Sequence, residues 1–380
     1  MSKRKLIVGA TLLVVFTFMA TVGGIFTLLR VNSSDFASTM KFFQALHVVK
    51  ARYVEAVPMD TLMTGAIKGM VASLNDPHSV YLDEKMFKEF MIETEGSFGG
   101  VGIVVGIKDK LLTVVSPIEG TPGEKSGIKS GDHIIKIDGK DTKDMLLDEA
   151  VSKIRGPEGS QVTLLIGRGN EAPRDYVLTR SNIQIKTVAG KMLPDQVGYI
   201  RLSMFNENTA NDFIRQYQEL EKAGMKGLVL DLRDNPGGLL NESVKVADQI
   251  VPKGPVVSVV PRGGEPEIHY SSLEAVKYPL VILVNGGSAS ASEIVAGAVQ
   301  DTGAGTLVGT KTYGKGSVQT LMPIGKDAIK LTIAKYLTPD ERSINGVGIE
   351  PDVIVELADR KSGKDTQLEK ATEIIKSKIK

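Results

Sequence analysis

A chain of 380 residues exceeds what one compact core usually holds, so two or three folded units are expected. The absence of cysteine excludes a disulfide framework, a thiolate metal site and a cysteine nucleophile. A formal net charge of +1 argues against nucleic acid as a partner, and the four histidines form no HxxxH or HExxH pair, so neither a metal nor a cofactor is expected.

The chain begins with a basic segment followed by an apolar one. The run from Leu6 to Leu29 carries no charge and would span roughly 36 Å as a helix, enough to cross a bilayer. A cleavable signal peptide has a shorter apolar region, of about 7–15 residues. The small residues Thr21–Gly24 could nevertheless form a cleavage site, so removal of the segment stays an open alternative. Lys3–Lys5 precede the run and only Arg30 directly follows it. We therefore expect residues 1–33 to form a cytoplasmic stub and a single-pass anchor in the cell membrane, with the catalytic portion extracytoplasmic.

The segment after this run is predicted to be helical. Apolar residues recur at helix-like spacing from Phe42 to Val54 and again from Leu62 to Leu74. The turn Asn75–His78 interrupts the pattern, because Pro77 disfavours a helical conformation of the residue before it. We expect an N-terminal helical region over residues 34–95.

Residues 96–180 show short β-branched runs separated by glycine turns, namely GVGIVV, LLTVV, HIIKIDG, TLLIGR and DYVLTR. This pattern predicts a small β domain with one helix near Leu146–Ile154. The pattern changes again from Gln196, where strands and helices alternate and two strands, GLVLDL and LVILVN, are almost entirely apolar. Such strands indicate a mostly parallel sheet covered by helices on both faces. The fold class is multidomain α/β, with a core over residues 181–358 and a charged, solvated helix over residues 359–380.

A serine-rich turn is the first candidate for chemistry. Asn285–Glu293 reads NGGSASASE, follows a buried strand and opens a helix, so amides at the helix N-terminus would point at a side chain exposed there. Ser288 and Ser290 are both candidates for a nucleophile. The alternative is that either serine only caps the helix, which serine does often.

Lys315 is the candidate base. The glycines on either side of it allow a tight turn, and desolvation would lower the pKa of its amine toward neutrality. Gln319 lies in the probable strand SVQTL, on the same face as Lys315 and Ser317 by alternation, and its amide oxygen could orient that amine. The alternative for Lys315 is an ordinary solvated surface charge. The histidines are poor candidates, because none lies in a comparable turn.

A third turn could supply the oxyanion site. Asp234–Gly238 reads DNPGG and lies at the carboxyl end of the apolar strand GLVLDL, where open α/β sheets bind ligands. The alternative is an ordinary Pro-Gly-Gly turn.

Four motifs, in order and spacing, carry a family resemblance: DLRDNPGG, NGGSASASEIVAGAVQD, GTKTYGKGSVQ and SINGVGIEPD. Together with AIKGMVASLNDPHSVYL and FGGVGIVV, they resemble the carboxyl-terminal processing proteases, also called tail-specific proteases, over nearly all of Phe42–Val355. The resemblance implies a serine–lysine peptidase with a crotonase-like (ClpP-like) α/β core, into which a PDZ domain over residues 96–180 is inserted after the helical region. It also implies the roles of six residues: Ser290 as nucleophile, Lys315 as base, Gln319 as its partner, and Gly237, Gly238 and Ala291 as oxyanion donors.

A PDZ domain would bind the C-terminal tail of a protein or peptide substrate. Its glycine-rich loop offers amides to the terminal carboxylate, and its exposed strand edge adds the tail by β-augmentation. An apolar terminal residue is expected to be preferred. The candidate peptide-binding residues are Gly100, Val101, Gly102, Ile103, Val105, Leu147, Val151, Ile154 and Arg155; the alternative is that the apolar ones only fill the domain core.

Two functions of different classes therefore remain. The favoured one is a membrane-anchored serine endopeptidase that cleaves the tails it recognises, because Ser290, Lys315 and Gln319 occur together. The other is a catalytically silent PDZ scaffold, and a Ser-His hydrolase is a more distant third. The physiological substrate, association into a homo-oligomer, any activating partner, and whether the PDZ domain gates or only recruits all stay open.

Overall fold

The computed structural model describes residues 3–28, 35–357 and 364–379, which divide into two compact units, residues 1–75 and 76–380. The first unit contains three helices: α1 Lys3–Leu28, α2 Phe36–Arg52 and α3 Met59–Ala72. Helices α2 and α3 confirm the helical prediction for this part of the chain, and α3 begins directly after Pro58, which suits a helix start.

Within those described ranges, no helix is both long enough and apolar enough to cross a bilayer. The anchor predicted over Leu6–Leu29 stays a prediction. Leu29 and Arg30, at the predicted end of the span, lie outside the described residues.

The second unit starts with a strand and a helix, β1 Val80–Leu82 and α4 Glu84–Glu95. Helix α4 begins where the Asp83 side chain accepts a hydrogen bond from the Met86 amide, which satisfies a free N–H of the first turn. The sequence predicted helix for this whole stretch and missed β1, because a three-residue strand carries too short a pattern to be recognised.

A small β domain follows, as predicted. Strands β2 Ser97–Gly100 and β9 Ser181–Gln184 pair at its base and mark where the chain enters and leaves. A second sheet has the strand order β3-β4-β5-β7-β8, with β6 paired to β5. Its elements are β3 Ile103–Lys108, β4 Leu111–Pro117, α5 Pro122–Lys125, β5 His133–Ile137, β6 Lys140–Asp141, α6 Leu147–Ile154, β7 Gln161–Gly167 and β8 Arg174–Thr179. The predicted helix is α6.

The α/β part contains the predicted parallel sheet, with strand order β10-β11-β12-β15-β16-β19. All neighbouring pairs are parallel except β10 with β11. Strands β12 and β15 are buried along their whole length, because helices cover both faces of the sheet. The elements are β10 Val188–Leu193, β11 Val197–Leu202, α7 Thr209–Lys222, β12 Gly227–Asp231, α8 Leu240–Ala247, β15 Leu280–Val284, α9 Ala291–Asp301, β16 Thr306–Gly309 and β19 Val353–Ile354.

A further sheet is antiparallel and was not predicted. It has the order β1-β18-β13-β14, with β17 also paired to β18. Its remaining strands are β13 Gly254–Pro261, β14 Glu267–Ser271, β17 Ser317–Ile324 and β18 Asp327–Leu337. This sheet pairs segments that are far apart in the sequence, so no local sequence pattern predicts the pairing.

The C-terminal helix α10, Thr366–Lys378, corrects a prediction. It was expected to be solvated, yet Ala371 and Ile375 are fully buried against the parallel sheet. Arg233, which follows β12, pairs with both Asp231 and Asp365, the N-cap of α10. The prediction considered the lysines and overlooked an apolar stripe. Leu368, Ala371 and Ile375 recur at helical spacing and form the face that packs on the sheet.

Candidate active site

Ser290 lies in the turn between β15 and α9, directly before the first residue of that helix. Its backbone has φ 54° and ψ −114°, a conformation that costs energy for a residue with a side chain. Strain of this kind marks functional turns, and a sharp strand-to-helix elbow is how hydrolases expose a nucleophilic serine.

The structure distinguishes Ser290 from the serines on either side. Ser288 is fully buried, donates to the Leu232 carbonyl at 2.8 Å and accepts from the Asn285 amide. Ser292 is also fully buried and donates to the Asn235 carbonyl. Ser290, in contrast, is partly exposed and lines a cleft of 460 Å³. The two flanking serines hold the turn together, and Ser290 is available to a substrate.

Lys315 lines the same cleft, with its backbone between two buried glycines. Burial lowers the pKa of its amine, and the positive charge of Lys330 lowers that pKa further, against the opposing charges of Asp76 and Glu293. Both main effects favour the neutral amine, which is the form that accepts a proton. Lys315 is therefore not the solvated surface charge that the sequence left open.

Gln319 also lines the cleft, although not by simple alternation, because the register of β17 shifts between Val318 and Gln319. Its side-chain nitrogen donates to the hydroxyls of Ser317 and Thr332, at 2.9 and 3.1 Å. Among the described residues, no hydrogen bond joins Gln319 to Lys315. The predicted contact between these two residues thus stays a prediction. The amide oxygen of Gln319 is the atom that could accept a hydrogen bond from Lys315.

The DNPGG turn packs directly on the serine turn. Gly237 has φ 102°, and a Cβ there would lie 2.8 Å from Ser290 Cβ and 2.9 Å from the Ala291 nitrogen, so glycine is required. The Gly237 amide, however, donates to the Asn235 side chain at 2.9 Å. The Gly238 and Ala291 amides have no acceptor within the part of the chain that the structure describes. Of the three predicted oxyanion donors, these two are free.

Two buried residues that the sequence analysis missed connect the serine turn to the lysine loop. The Glu293 carboxylate, fully buried, accepts from the amides of Ser290 and Lys315 at 2.8 and 2.9 Å. It also accepts from Thr312 Oγ1 and the Gly314 amide. Ser290-x-x-Glu293 is a capping-box spacing, so Glu293 was a detectable signal.

The second connecting residue, Tyr336, is also buried, and its hydroxyl donates to the carbonyls of Ser290 and Lys315 at 3.1 and 2.7 Å. Burial raises its pKa well above the ordinary value, so the hydroxyl keeps its proton. Together, Glu293 and Tyr336 hold the backbones of the nucleophile and the base candidates in one arrangement.

The rest of the cleft is largely apolar. Its walls include Met91, Met204, Phe205, Leu240 and Ile294. A peptide chain entering this cleft would place apolar side chains in it and its carbonyl groups near Ser290.

Strand β3 and helix α6 of the β domain contain several of the residues predicted to bind a tail. Strand β3 is an edge strand paired only with β4 among the described strands, and α6 packs beside it. Ile103, Val105 and Leu147 are partly buried there, and Val151 is partly exposed. Gly102, at φ 70°, starts the strand. The geometry is open to β-augmentation.

Four predicted peptide-binding residues lie elsewhere. Val101 and Ile154 are buried in the domain core, at 1% and 6% exposure, so for them the core-filling alternative holds. Gly100 is paired with Ser181 in the β2–β9 ribbon. The guanidinium of Arg155 lies over the Phe98 ring, 4.3 Å from its centre, at the junction between the β domain and the core.

An α/β core with a strained serine turn, a desolvated lysine and free helix N-terminal amides defines a serine-type hydrolase site. The comparisons name the family. Peptidase family S41 matches residues 196–355, a PDZ domain matches residues 89–167, and the N-terminal domain of the activating protease CtpB matches residues 27–86. The chain belongs to the carboxy-terminal processing proteases, which are serine-type peptidases.

Similar proteins agree with this assignment. A carboxy-terminal-processing protease of Bartonella bacilliformis is 42% identical over 89% of this chain and 80% of its own length. Carboxy-terminal processing protease CtpB of Bacillus subtilis is 39% identical over 88% and 71%. A crystal structure assigned to the S41 proteases of Bacteroides fragilis has a TM-score of 0.51 and 17% identity, over 87% of this chain and 96% of that one, which supports the fold alone.

Proposed function

We propose that the protein hydrolyses peptide bonds near the C-terminus of protein substrates, with Ser290 as nucleophile and Lys315 as general base. The observation that carries this proposal is that the partly exposed Ser290, the desolvated Lys315 and the free amides of Gly238 and Ala291 line or adjoin one cleft. Each of these groups matches one requirement of acyl transfer.

The reaction balances with groups of this chain and one water molecule. Ser290 Oγ gives its proton to Lys315 Nζ and bonds to the carbonyl carbon, whose oxygen becomes an anion. The amides of Gly238 and Ala291 donate to that anion. Lys315 then protonates the leaving amine, and the peptide bond breaks to leave an acyl-enzyme. A water molecule, deprotonated by Lys315, releases the carboxylic acid and restores Ser290.

We assign Gln319 to the orientation of Lys315. Its amide nitrogen is committed to Ser317 and Thr332, so its oxygen is the end that can accept from the lysine. A neutral amide orients the amine without forming a charge pair that would raise its pKa.

Substrate tails are proposed to bind along β3. The amides near Gly102 and Ile103 would take the terminal carboxylate, and the partly buried Ile103, Val105 and Leu147 would contact an apolar terminal side chain. The specificity is therefore for free, apolar C-termini.

We also propose that the catalytic part is held outside the cytoplasm by an N-terminal membrane anchor. The support is the uncharged run Leu6–Leu29 behind three basic residues. The test is membrane fractionation of the full chain and of a form lacking residues 2–33, with protease accessibility of the intact cells. Recovery of the full chain in the soluble fraction would exclude an anchor.

The decisive experiment for the catalytic proposal is incubation of the full-length protein with an unstructured protein that ends in apolar residues, with products identified by mass spectrometry. The Ser290→Ala form is the matched control. Fragments produced only by the unaltered protein support the proposal. Their absence with both forms would favour a silent scaffold.

A further inference from the structure

The turn Asp76–Ser79, just before β1, forms a compact hydrogen-bonded unit. Asp76 Oδ2 accepts from Ser79 Oγ at 2.6 Å, and Oδ1 accepts from the His78 amide at 3.0 Å. Ser79 is buried, at 8% exposure. Burial alone would raise the pKa of Asp76. The polar contacts with Ser79, Thr332 and the His78 amide outweigh burial and lower that pKa to about 2. The carboxylate is therefore charged at every working pH.

This unit is connected to the catalytic cleft through β18. Ser79 Oγ, which donates to Asp76, accepts from the Thr332 amide at 3.0 Å. The hydroxyl oxygen of Thr332 accepts from the Gln319 side chain at 3.1 Å. Asp76, Ser79, Thr332 and Gln319 are thus connected by hydrogen bonds that reach the cleft lined by Lys315.

The hydrogen bonds also set the orientation of Gln319. Its side-chain nitrogen donates to the hydroxyl oxygens of Ser317 and Thr332, so its side-chain oxygen faces the other way. A neutral side chain at position 76 would weaken the hydrogen bond from Ser79, through which the turn holds the Thr332 amide.

The charges around Lys315 come from several elements. Asp76 and His78 face it from the turn, Glu293 from α9 and Lys330 from β18. Tyr336, also on β18, and Glu93, on α4, line the same cleft. Glu293 is occupied by four hydrogen bonds from its surroundings. Asp76 is the other anion that acts on Lys315, against the cation Lys330.

We propose that Asp76 is a positioning residue for Lys315: through Ser79 and Thr332 it holds Gln319 in place, and its charge stabilises the ammonium that Lys315 becomes when it takes the Ser290 proton. The inference rests on the proposed role of Lys315 as base. Asp76 itself touches neither the substrate nor the reacting atoms.

The test measures the pH dependence of Ser290 activation. The full-length protein is reacted with a fluorophosphonate probe, which labels an activated serine, from about pH 5 to about pH 10, and cleavage of fluorescein-labelled casein is followed in parallel. Asp76→Asn is expected to lower the plateau rate roughly tenfold. It should also move the acid limb to lower pH, because loss of the anion lowers the pKa of Lys315 and keeps the amine neutral in more acid solution.

Two further variants separate the charge from the hydrogen bonds. Asp76→Glu keeps the charge and should keep the acid limb near its original position. Ser79→Ala keeps the carboxylate but breaks one connection to β18, so the plateau should fall with little movement of the limb. If Asp76→Asn fails to fold, these two variants decide: an unchanged plateau in Ser79→Ala would overturn the proposal.

Asp83→Asn is the matched control. Asp83 is a carboxylate in the same segment that caps α4 and lies outside the cleft. Because asparagine caps a helix about as well as aspartate, this variant should melt at nearly the same temperature, with an unchanged acid limb. The proposal is overturned if Asp76→Asn leaves the limb in place, or if Asp83→Asn moves it equally. Failure of the catalytic proposal looks different, because Lys315→Ala would then still be labelled at the full rate.

Discussion

The serine turn and strand β3 of the PDZ domain differ in how many of their backbone amides and carbonyls are hydrogen-bonded. Around Ser290, most amides and carbonyls are committed: Glu293 and Tyr336 bind the backbones of Ser290 and Lys315, and Ser288 and Ser292 anchor the turn. Along β3, beside α6, one backbone edge has no strand partner among the residues that the structure describes. Catalysis needs groups already in place before charge develops, whereas recognition of many tails needs open positions that a peptide can fill.

The comparison predicts that changes in the serine turn affect chemistry far more than changes in the groove. The largest effect is expected for Ser290→Ala, which should abolish proteolysis and leave the melting temperature nearly unchanged, because it removes one hydroxyl from a partly exposed site. Assay of casein cleavage together with thermal unfolding provides the measurement.

Ser288→Ala is the control for that variant. Its hydroxyl is buried and has partners on both sides, so the expected cost is about 1–3 kcal/mol of stability with substantial activity retained. Equal loss of activity in both variants would contradict the assignment of the nucleophile.

Lys315→Arg should be as inactive as Ser290→Ala, because a guanidinium keeps its proton at all working pH values. In the unaltered protein, activity should rise with pH and level off below the ordinary pKa of a lysine, since burial and Lys330 lower the pKa of Lys315. A pH–rate profile of kcat/KM tests this. An acid limb at the ordinary lysine pKa, or turnover by the arginine variant, would remove Lys315 as the base.

Glu293→Gln should reduce kcat by roughly 10²-fold with a smaller change in KM. The amide keeps the volume of the carboxylate, but only its oxygen can accept. The backbone amides on one side of position 293, either those of Ser290 and Lys315 or that of Gly314, therefore lose their acceptor. Comparison of kcat and KM with those of Glu267→Gln, on the remote strand β14, separates this effect from a general change of charge. An unaltered kcat would show that the two loops hold their positions without Glu293.

The smallest effect is expected in the groove. Amidation of a substrate's C-terminus removes the charge that the amides near Gly102 and Ile103 would bind, at a cost of about 1.5–3 kcal/mol. Cleavage at subsaturating substrate should then fall about tenfold or more, mainly through KM. Specificity constants for matched free-acid and amidated peptides measure this. Identical constants would refute tail recognition and reduce the β domain to a structural insert.

Much of the fold followed from local pattern. The alternation of strands and helices after Gln196, the apolar strands β12 and β15, helices α6 and α9 and the β domain were predicted, because each carries its own periodicity or turn residues. Strands β10 and β19, at the two edges of the parallel sheet, were not predicted. The prediction that helix α10 is solvated was wrong. The helix is rich in lysine, and its short apolar stripe is buried only because the parallel sheet packs on it.

The motifs likewise placed Ser290, Lys315 and Gln319 in one cleft. The family resemblance had already assigned Ser290 as the nucleophile. The physical difference between Ser290 and Ser288 is burial, which no local pattern of small residues contains. The reduction of the oxyanion donors to Gly238 and Ala291 came from a single contact, the donation of the Gly237 amide to Asn235.

The amino-acid sequence by itself determined the division into helical, β and α/β regions, the residues available for chemistry and, through its motifs, the family. The tertiary structure decided which groups are free and which are committed. That division has a physical reason: the committing contacts are long-range, such as Ser79 with Thr332, which are 253 residues apart, and Glu293 with Lys315, which are 22 apart. Local propensity acts over a few neighbours, whereas these contacts exist only once the sheets have brought distant turns together.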